Sequence, residues 1–141
     1  MVSRKYVIQL LLMTSCLSGC AAGKLVGTMP TIENDDYATV HIARPSGFTG
    51  CGVRTTIELD HQEFFWLACG DHISFRVPAN KAVTISQTTS TRPDHLEIEP
   101  EKGKVYYFGN DCNWVCWFEE TKKSYFQSLA SRCDKEQKIG Y

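Results

Sequence analysis

Residues 73–88, ISFRVPANKAVTISQT, alternate apolar and polar side chains on both sides of a Pro-Ala-Asn-Lys segment. Ile73, Phe75 and Val77 fall on one face of an extended chain, which is the pattern of a half-buried β-strand. Residues 82–88 form a second strand, and Asn80 suits the turn between them because asparagine tolerates a positive φ angle. The stretch therefore predicts two short strands separated by a tight turn.

The same kind of pattern recurs on both sides of this stretch. Apolar or alternating runs between turn residues predict further strands at residues 38–43, 53–59, 64–68, 95–99, 105–108 and 114–118. After residue 120 apolar side chains recur at helical spacing, namely Tyr125, Phe126, Leu129 and Ala130. We therefore predict an all-β fold, an antiparallel β-sandwich of about seven to eight strands with a short C-terminal helix.

Four segments carry turn and core signatures in a fixed order. They are Arg44-Pro45-Ser46, Leu59-Asp60, residues 75–81 after Gly70, and residues 96–107 with the pattern Leu-x-Ile-x-Pro-x-x-Gly-Lys-x-Tyr-Tyr. This order resembles the domain-of-unknown-function family numbered 2846, small lipoprotein domains with a transthyretin- or PEGA-like β-sandwich. The resemblance covers residues 37–118 and implies a fold and a cellular location, but no reaction.

The first twenty residues have the composition of a secretory signal. Arg4 and Lys5 precede an apolar run at residues 6–13 that is too short to span a bilayer. The signal ends in residues that resemble the lipobox of bacterial lipoproteins, namely Leu17, Ser18, Gly19 and Cys20. That resemblance implies a diacylglycerol on the Cys20 sulfur, cleavage before Cys20 and acylation of the new amino terminus. The alternative is an ordinary signal peptide with an incidental cysteine.

These features divide the chain into four segments. We predict a signal peptide at residues 1–19, a lipidated cysteine and linker at residues 20–36, the sandwich with its helix at residues 37–134, and a frayed tail at residues 135–141. The linker is expected to hold the domain away from the bilayer. Ala21 rather than aspartate follows the cysteine, and the lipoprotein resemblance then implies the outer membrane, with the domain facing the periplasm.

Length and charge limit the remaining possibilities. The 141 residues suit one domain, and the formal charge of −1 becomes −3 when Arg4 and Lys5 leave with the signal. The sequence contains no basic stripe, so we expect no nucleic-acid partner. It contains no second apolar run long enough to cross a membrane, which leaves the lipid anchor as the predicted membrane contact.

Seven cysteines are present, of which Cys16 leaves with the signal and Cys20 is predicted to carry lipid. The other five are Cys51, Cys69, Cys112, Cys116 and Cys133. An exported protein meets an oxidising compartment, so these five predict two disulfides and one spare thiol. Zinc is the competing interpretation, but the Cys-x-x-x-Cys spacing departs from the usual zinc knuckle and no histidine pair follows it. We therefore favour disulfides and expect no bound metal.

The expected pairing follows from the predicted strands. Cys51 and Cys69 lie at the two ends of a predicted hairpin that turns at Asp60-His61, so we predict a Cys51–Cys69 bridge. Cys112 and Cys116 would be about 13 Å apart in an extended strand and could meet only across a turn. We therefore prefer a Cys112–Cys133 bridge, which would pin the helix to the sheet. Cys116 would then be the spare thiol, either buried or reactive.

The histidines and carboxylates have ordinary structural explanations. His41, His72 and His95 would form a surface metal site if their strands were neighbours, but exposed strand histidines are the simpler interpretation. The carboxylates at positions 97, 99 and 101 share one alternating face, and solvation explains them better than acid–base catalysis does.

Trp114 is a candidate contact residue. It lies in a loop-like stretch between two cysteines, where an exposed indole would suit a protein or glycan partner. Packing in the core is the alternative, as for most of the aromatic residues.

Together these features predict a non-enzymatic envelope lipoprotein. It would need no cofactor and would bind an envelope protein or glycan. Two alternatives belong to other classes. The first is a protein inhibitor of the lysozyme-inhibitor kind, which is also small, exported, β-rich and disulfide-bearing. The second is a thiol-active enzyme built on the unpaired cysteine, although no Cys-x-x-Cys motif is present.

Overall fold

The computed structural model describes residues 23–47, 51–89, 93–112 and 116–141. Within these ranges the chain forms two five-stranded sheets and a short helix, which confirms the predicted all-β sandwich. The strands are β1 (Lys24–Leu25), β2 (Tyr37–Ala43), β3 (Thr55–Leu59), β4 (Gln62–Leu67), β5 (Asp71–Pro78), β6 (Val83–Thr88), β7 (Pro93–Ile98), β8 (Val105–Cys112), β9 (Cys116–Glu120) and β10 (Lys135–Lys138), and the helix is α1 (Lys123–Ala130).

The first sheet has the strand order β1-β4-β3-β6-β7, and all its pairings are antiparallel. At its centre β3 and β4 form a hairpin that turns at Asp60 and His61, as predicted. Their φ angles of 48° and 65° are positive, which a tight two-residue hairpin requires. Thr55, the first residue of β3, pairs with Leu67, the last residue of β4. The start of β3 and the end of β4 therefore lie side by side.

The second sheet, ordered β10-β5-β2-β8-β9, is mixed. β2 pairs antiparallel with β5 but parallel with β8, and β10 pairs parallel with β5. The chain arrives at β8 from β7 in the opposite sheet, and β8 runs beside β2 in the same direction. The sequence predicted an antiparallel sandwich and missed these two parallel pairs. Side-chain alternation indicates which face of a strand is buried, but not the direction in which the strand runs.

The core lies between the two sheets. Ile73, Phe75 and Val77 are fully buried, as their alternation predicts. The ring of Phe75 on β5 meets that of Phe64 on β4, with ring centroids 4.8 Å apart. Because full burial of such a side chain contributes about 1.5–3 kcal/mol, contacts of this kind hold the two sheets together.

The turn after β5 carries the chain from one sheet to the other. Asn80 adopts a φ angle of 58°, as predicted, and its N–H donates to the carbonyl of Pro100 at 2.7 Å. β5 belongs to the second sheet and β6 to the first, so this turn is a crossover and not a hairpin.

The helix α1 packs on the outer face of the second sheet. Phe126 and Leu129 are buried there against Ala43 of β2, which fits the predicted helical spacing. No helix in the described part of the chain is long and apolar enough to span a bilayer.

Two segments predicted to be irregular instead join the sheets. Within the expected linker, β1 pairs with β4, and the amides of Val26 and Gly27 both donate to the Phe64 carbonyl at 3.0 Å. The expected tail contains β10, whose backbone pairs with β5 and whose neighbour Ile139 is buried. Polar edge strands lack the apolar alternation that marks a strand in sequence, so neither was predicted.

Candidate functional site

The predicted Cys51–Cys69 disulfide is present, with the two Cα atoms 5.1 Å apart. Cys51 precedes β3 and Cys69 follows β4, so the hairpin brings the two residues to the same edge of the first sheet. The bridge therefore closes the open end of this hairpin. The sequence predicted it because the two cysteines lie at the two ends of the hairpin.

The preferred Cys112–Cys133 bridge is wrong, because Cys112 is bonded to Cys116. The prediction placed a strand at residues 114–118, whereas β9 begins at Cys116 and pairs antiparallel with β8. Cys112 and Cys116 are direct cross-strand partners, with Cα atoms 4.0 Å apart. β8 and β9 therefore run in opposite directions at these two cysteines, which is the arrangement in which the sequence allowed the pair to meet.

Cys133, and not Cys116, is the free cysteine of the described residues. Its half-buried Sγ lies 3.5 Å from the Asp71 carbonyl oxygen and 3.6 Å from that of Leu129. Burial raises the pKa of the Cys133 thiol to about 11. At neutral pH the thiol therefore stays protonated, which makes it a poor nucleophile.

Arg44 is a charged side chain that sequence reasoning missed. It is only 2% exposed, and its Nη1 and Nη2 donate to the carbonyl oxygens of Leu67 and Val53, each at 2.7 Å. Burial lowers the Arg44 pKa, while attraction to Asp71 opposes that shift. Residues 38, 40 and 42 are buried, and position 44 falls on the same face of an extended chain. This spacing of two residues is the signal from which the burial of Arg44 could have been predicted.

Asp71, at the start of β5, is fully buried beside this arginine. Its Oδ2 accepts hydrogen bonds from the amides of Gly23, at 2.9 Å, and Ala68, at 2.8 Å. Asp71 thus joins the segment that follows the predicted anchor to the loop that carries Cys69.

A cleft of about 390 Å³ opens beside the Cys51–Cys69 bridge, and we call it the arginine cleft. Its walls include Lys24, Arg44, Arg54, Trp66, Cys51 and Cys69. The Arg54 guanidinium lies over the Trp66 ring, 4.6 Å from its centroid. Cross-strand pairing of Lys24 with Trp66 places Lys24 on the same face of the sheet.

The arginine cleft has the chemistry of a site for an anionic group. Three cationic side chains line it, and none of its lining residues within the described ranges is acidic. Arginine presents a planar set of donors that matches carboxylates and phosphates, and the indole of Trp66 offers a flat wall for the rest of a ligand. The sequence did not single out Lys24, Arg54 or Trp66, because they come together only through the pairing of β1, β3 and β4.

A second cavity, of about 520 Å³, lies at the other end of the sandwich. Its carboxylates belong to Glu33, Asp36 and Asp60. Asp36 forms an ion pair with Lys102, and the Asp60 Oδ1 accepts a hydrogen bond from the Thr84 amide at 2.9 Å. Two of the three carboxylates therefore already bind groups of the protein itself, so this cavity is the weaker candidate for a ligand site.

The structure brings together two of the three histidines considered as metal ligands. His41 Nδ1 and His72 Nε2 lie 3.1 Å apart on neighbouring strands of the second sheet, whereas His95 is on β7 of the first. Burial lowers the pKa of both His41 and His72. Across the described residues, no group of three or more His, Cys, Asp or Glu side chains is placed to hold a metal ion.

The remaining predicted site residues are the contact candidate Trp114 and the lipobox. Trp114 and the lipobox with Cys20 lie outside the described residues. The neighbouring Trp117 on β9, which the sequence did not single out, is 60% exposed. The exposed indole at this hairpin therefore belongs to Trp117 as far as the described residues show.

Comparison of the chain with protein-family models and with curated proteins finds no match in either set. The resemblance to the domain-of-unknown-function family numbered 2846, and the lipoprotein assignment, therefore stay predictions from the sequence.

Proposed function

We propose that this chain is a non-enzymatic binding module of the bacterial envelope, anchored by lipid on Cys20 to the outer membrane and facing the periplasm. The lipobox-like residues before Cys20 support the anchor. The arginine cleft supports binding of an envelope component that carries an anionic group. Carboxylate and phosphate groups both fit the cationic lining of this cleft.

The observation that carries the proposal is the pair of disulfides within the domain. Four of the five cysteines predicted to remain in the exported domain are bonded to each other, as Cys51–Cys69 and Cys112–Cys116. Such bonds persist in oxidising compartments and are rare in the reducing cytosol. They therefore favour export, which a lipid anchor on Cys20 requires.

The state of Cys133 favours a binding role over the thiol-active alternative. Catalytic cysteines lie in surroundings that lower the thiol pKa. Burial raises that of Cys133 to about 11, with the neighbouring Asp71 and Asp134 acting in the same direction. This environment suits a structural thiol.

Metabolic labelling tests the proposed anchor. Bacteria expressing the full chain would be fed labelled fatty acid, and the wild type would be compared with Cys20→Ser. We expect label on the wild type and none on the variant, and we expect the wild type to fractionate with outer membranes. A wild-type protein that takes up no label, or that partitions as a free species, would contradict the proposal.

A further inference from the structure

The chain is fixed to the sandwich at the first residue that the structure describes. The Gly23 amide donates to Asp71 Oδ2 at 2.9 Å in the second sheet, and β1 pairs with β4 in the first. The Gly23 carbonyl also lies 3.5 Å from Nε2 of Gln137 on β10. Gly23 is therefore held by both sheets, so no free linker remains between it and the domain.

Only three residue steps separate Gly23 from Cys20. A fully extended chain spans at most about 3.6 Å per residue, so the two Cα atoms lie within about 11 Å of each other. On a protein acylated at Cys20, the end of the sandwich that carries Gly23 therefore lies against the bilayer surface. This is the opposite of the predicted linker, which would have held the domain away.

The arginine cleft is at this end of the molecule. Gly23 itself lines the cleft, and Lys24 is the next residue along the chain. The cavity that contains Glu33, Asp36 and Asp60 lies at the opposite end, beside the hairpin turn of β3 and β4. The positive lining therefore lies next to the anchor, and the carboxylate-lined cavity lies away from it.

We infer that the arginine cleft binds the phosphate groups of anionic phospholipids in the leaflet that holds the anchor, through Lys24 and Arg54. The inference rests on the proposed function, because it needs the acyl group on Cys20. Cationic side chains held within a Debye length of an anionic bilayer are attracted to it. Trp66, beneath Arg54, places an indole where the membrane interface favours one.

The test uses the full acylated protein reconstituted into two kinds of vesicle. One kind is phosphatidylcholine alone, and the other is an equal mixture of phosphatidylcholine and phosphatidylglycerol. The rate of acetylation of each lysine by an amine-reactive reagent is then measured by peptide mass spectrometry. We expect Lys24 to react about fivefold more slowly in the anionic vesicles, since one bilayer contact of a basic residue corresponds to about that factor. Lys81, exposed at the opposite end, should react equally in both.

Two variants identify the cleft as the cause. Arg54→Ala removes an exposed side chain and should abolish most of the protection of Lys24, and high salt should do the same. Lys81→Ala removes an equal charge at the far end and should leave the protection intact. Protection that survives Arg54→Ala as fully as it survives Lys81→Ala would overturn the role of the cleft.

A further arm separates lipid phosphate from free phosphate. Millimolar inorganic phosphate added to the zwitterionic vesicles should leave the Lys24 rate unchanged, and equal protection by free phosphate would overturn the bilayer as the occupant. Flotation of the same vesicles reports on the anchor independently. A protein that fails to float with phosphatidylcholine refutes the proposed function. One that floats with both vesicles but shows equal Lys24 rates refutes only the inference about the cleft.

Discussion

The amide of Gly23 donates a hydrogen bond to the Asp71 carboxylate across 48 positions of sequence, with the nitrogen 2.9 Å from Oδ2. A second amide, that of Ala68, donates to the same oxygen at 2.8 Å. One buried carboxylate thus fixes the segment after Cys20 and the loop before β5 to each other.

Replacing Asp71 should loosen the N-terminal segment. Asp71→Ala removes the acceptor of both amides and leaves Arg44 without the attraction of a neighbouring buried charge, so we expect a loss of about 3 kcal/mol in the free energy of unfolding. Trypsin should also cleave faster after Lys24, because β1 loses its support. Urea unfolding and limited proteolysis measure the two effects. Glu119→Ala, an exposed change on β9, is the control and should shift stability by less than about 0.5 kcal/mol.

The two disulfides should differ in their contributions to stability. They close loops with sequence separations of 18 and 4, and the chain-entropy model gives about 3 kcal/mol for Cys51–Cys69 and about 2 kcal/mol for Cys112–Cys116. Paired Cys→Ser replacements, followed by urea unfolding, test this order. A non-reducing peptide map checks the pairing itself, and a peptide that links Cys112 to Cys133 would contradict the structure.

Cys133 should react slowly in the native protein. Its pKa is raised from 9.0 to about 11, so at neutral pH the thiolate is about a hundredfold scarcer than for an ordinary cysteine. We expect iodoacetamide to modify Cys133 at least tens of times more slowly in the folded protein than in urea, as followed by mass spectrometry. Equal rates in the two states would contradict the raised pKa of Cys133.

The pair of histidines should make the protein less stable in mild acid. Burial lowers the pKa of His41 and His72 in the folded state, and Glu136 opposes the shift while Lys138 adds to that of His41. Below about pH 6.5 the unfolded chain binds protons that the folded chain resists, so this contribution to stability is lost progressively as pH falls from about 6.5 through the lowered pKa of the folded state.

Urea unfolding near pH 7.5 and near pH 5 measures this loss. The double variant His41→Gln, His72→Gln should show a smaller change between the two conditions than the wild type. His95→Gln, at an exposed position on β7, should retain the wild-type change. An unchanged pH dependence in the double variant would contradict the assignment.

The sequence predicted those features of the fold that depend on residues close together in the chain. Alternation at Ile73, Phe75 and Val77 identified a buried strand, and turn residues identified the Asp60-His61 hairpin, from which the Cys51–Cys69 bridge followed. The Cys112–Cys116 bridge was missed because it depends on where one strand ends and the next begins, and strand boundaries are weakly encoded.

The candidate site was the least predictable part. The arginine cleft combines Lys24, Arg44 and Arg54 from three separate segments. The pairing of β1, β3 and β4 brings Lys24 and Arg54 together, and hydrogen bonds to the Val53 and Leu67 carbonyls hold Arg44 beside them. The alternation of buried residues could have indicated that Arg44 is buried. It could not have indicated which residues surround Arg44 in the cleft.

The strand β10 has a consequence for how copies of the protein behave in solution. It pairs along β5 through residues 135–138 and so covers the open hydrogen-bonding edge of the second sheet. A chain cut after Asp134 would present the bare N–H and C=O groups of β5, which can template the addition of another molecule. We expect such a truncated protein to self-associate with rising concentration in sedimentation velocity, while the full chain keeps a constant sedimentation coefficient. The four polar residues of β10 would then protect the domain against aggregation.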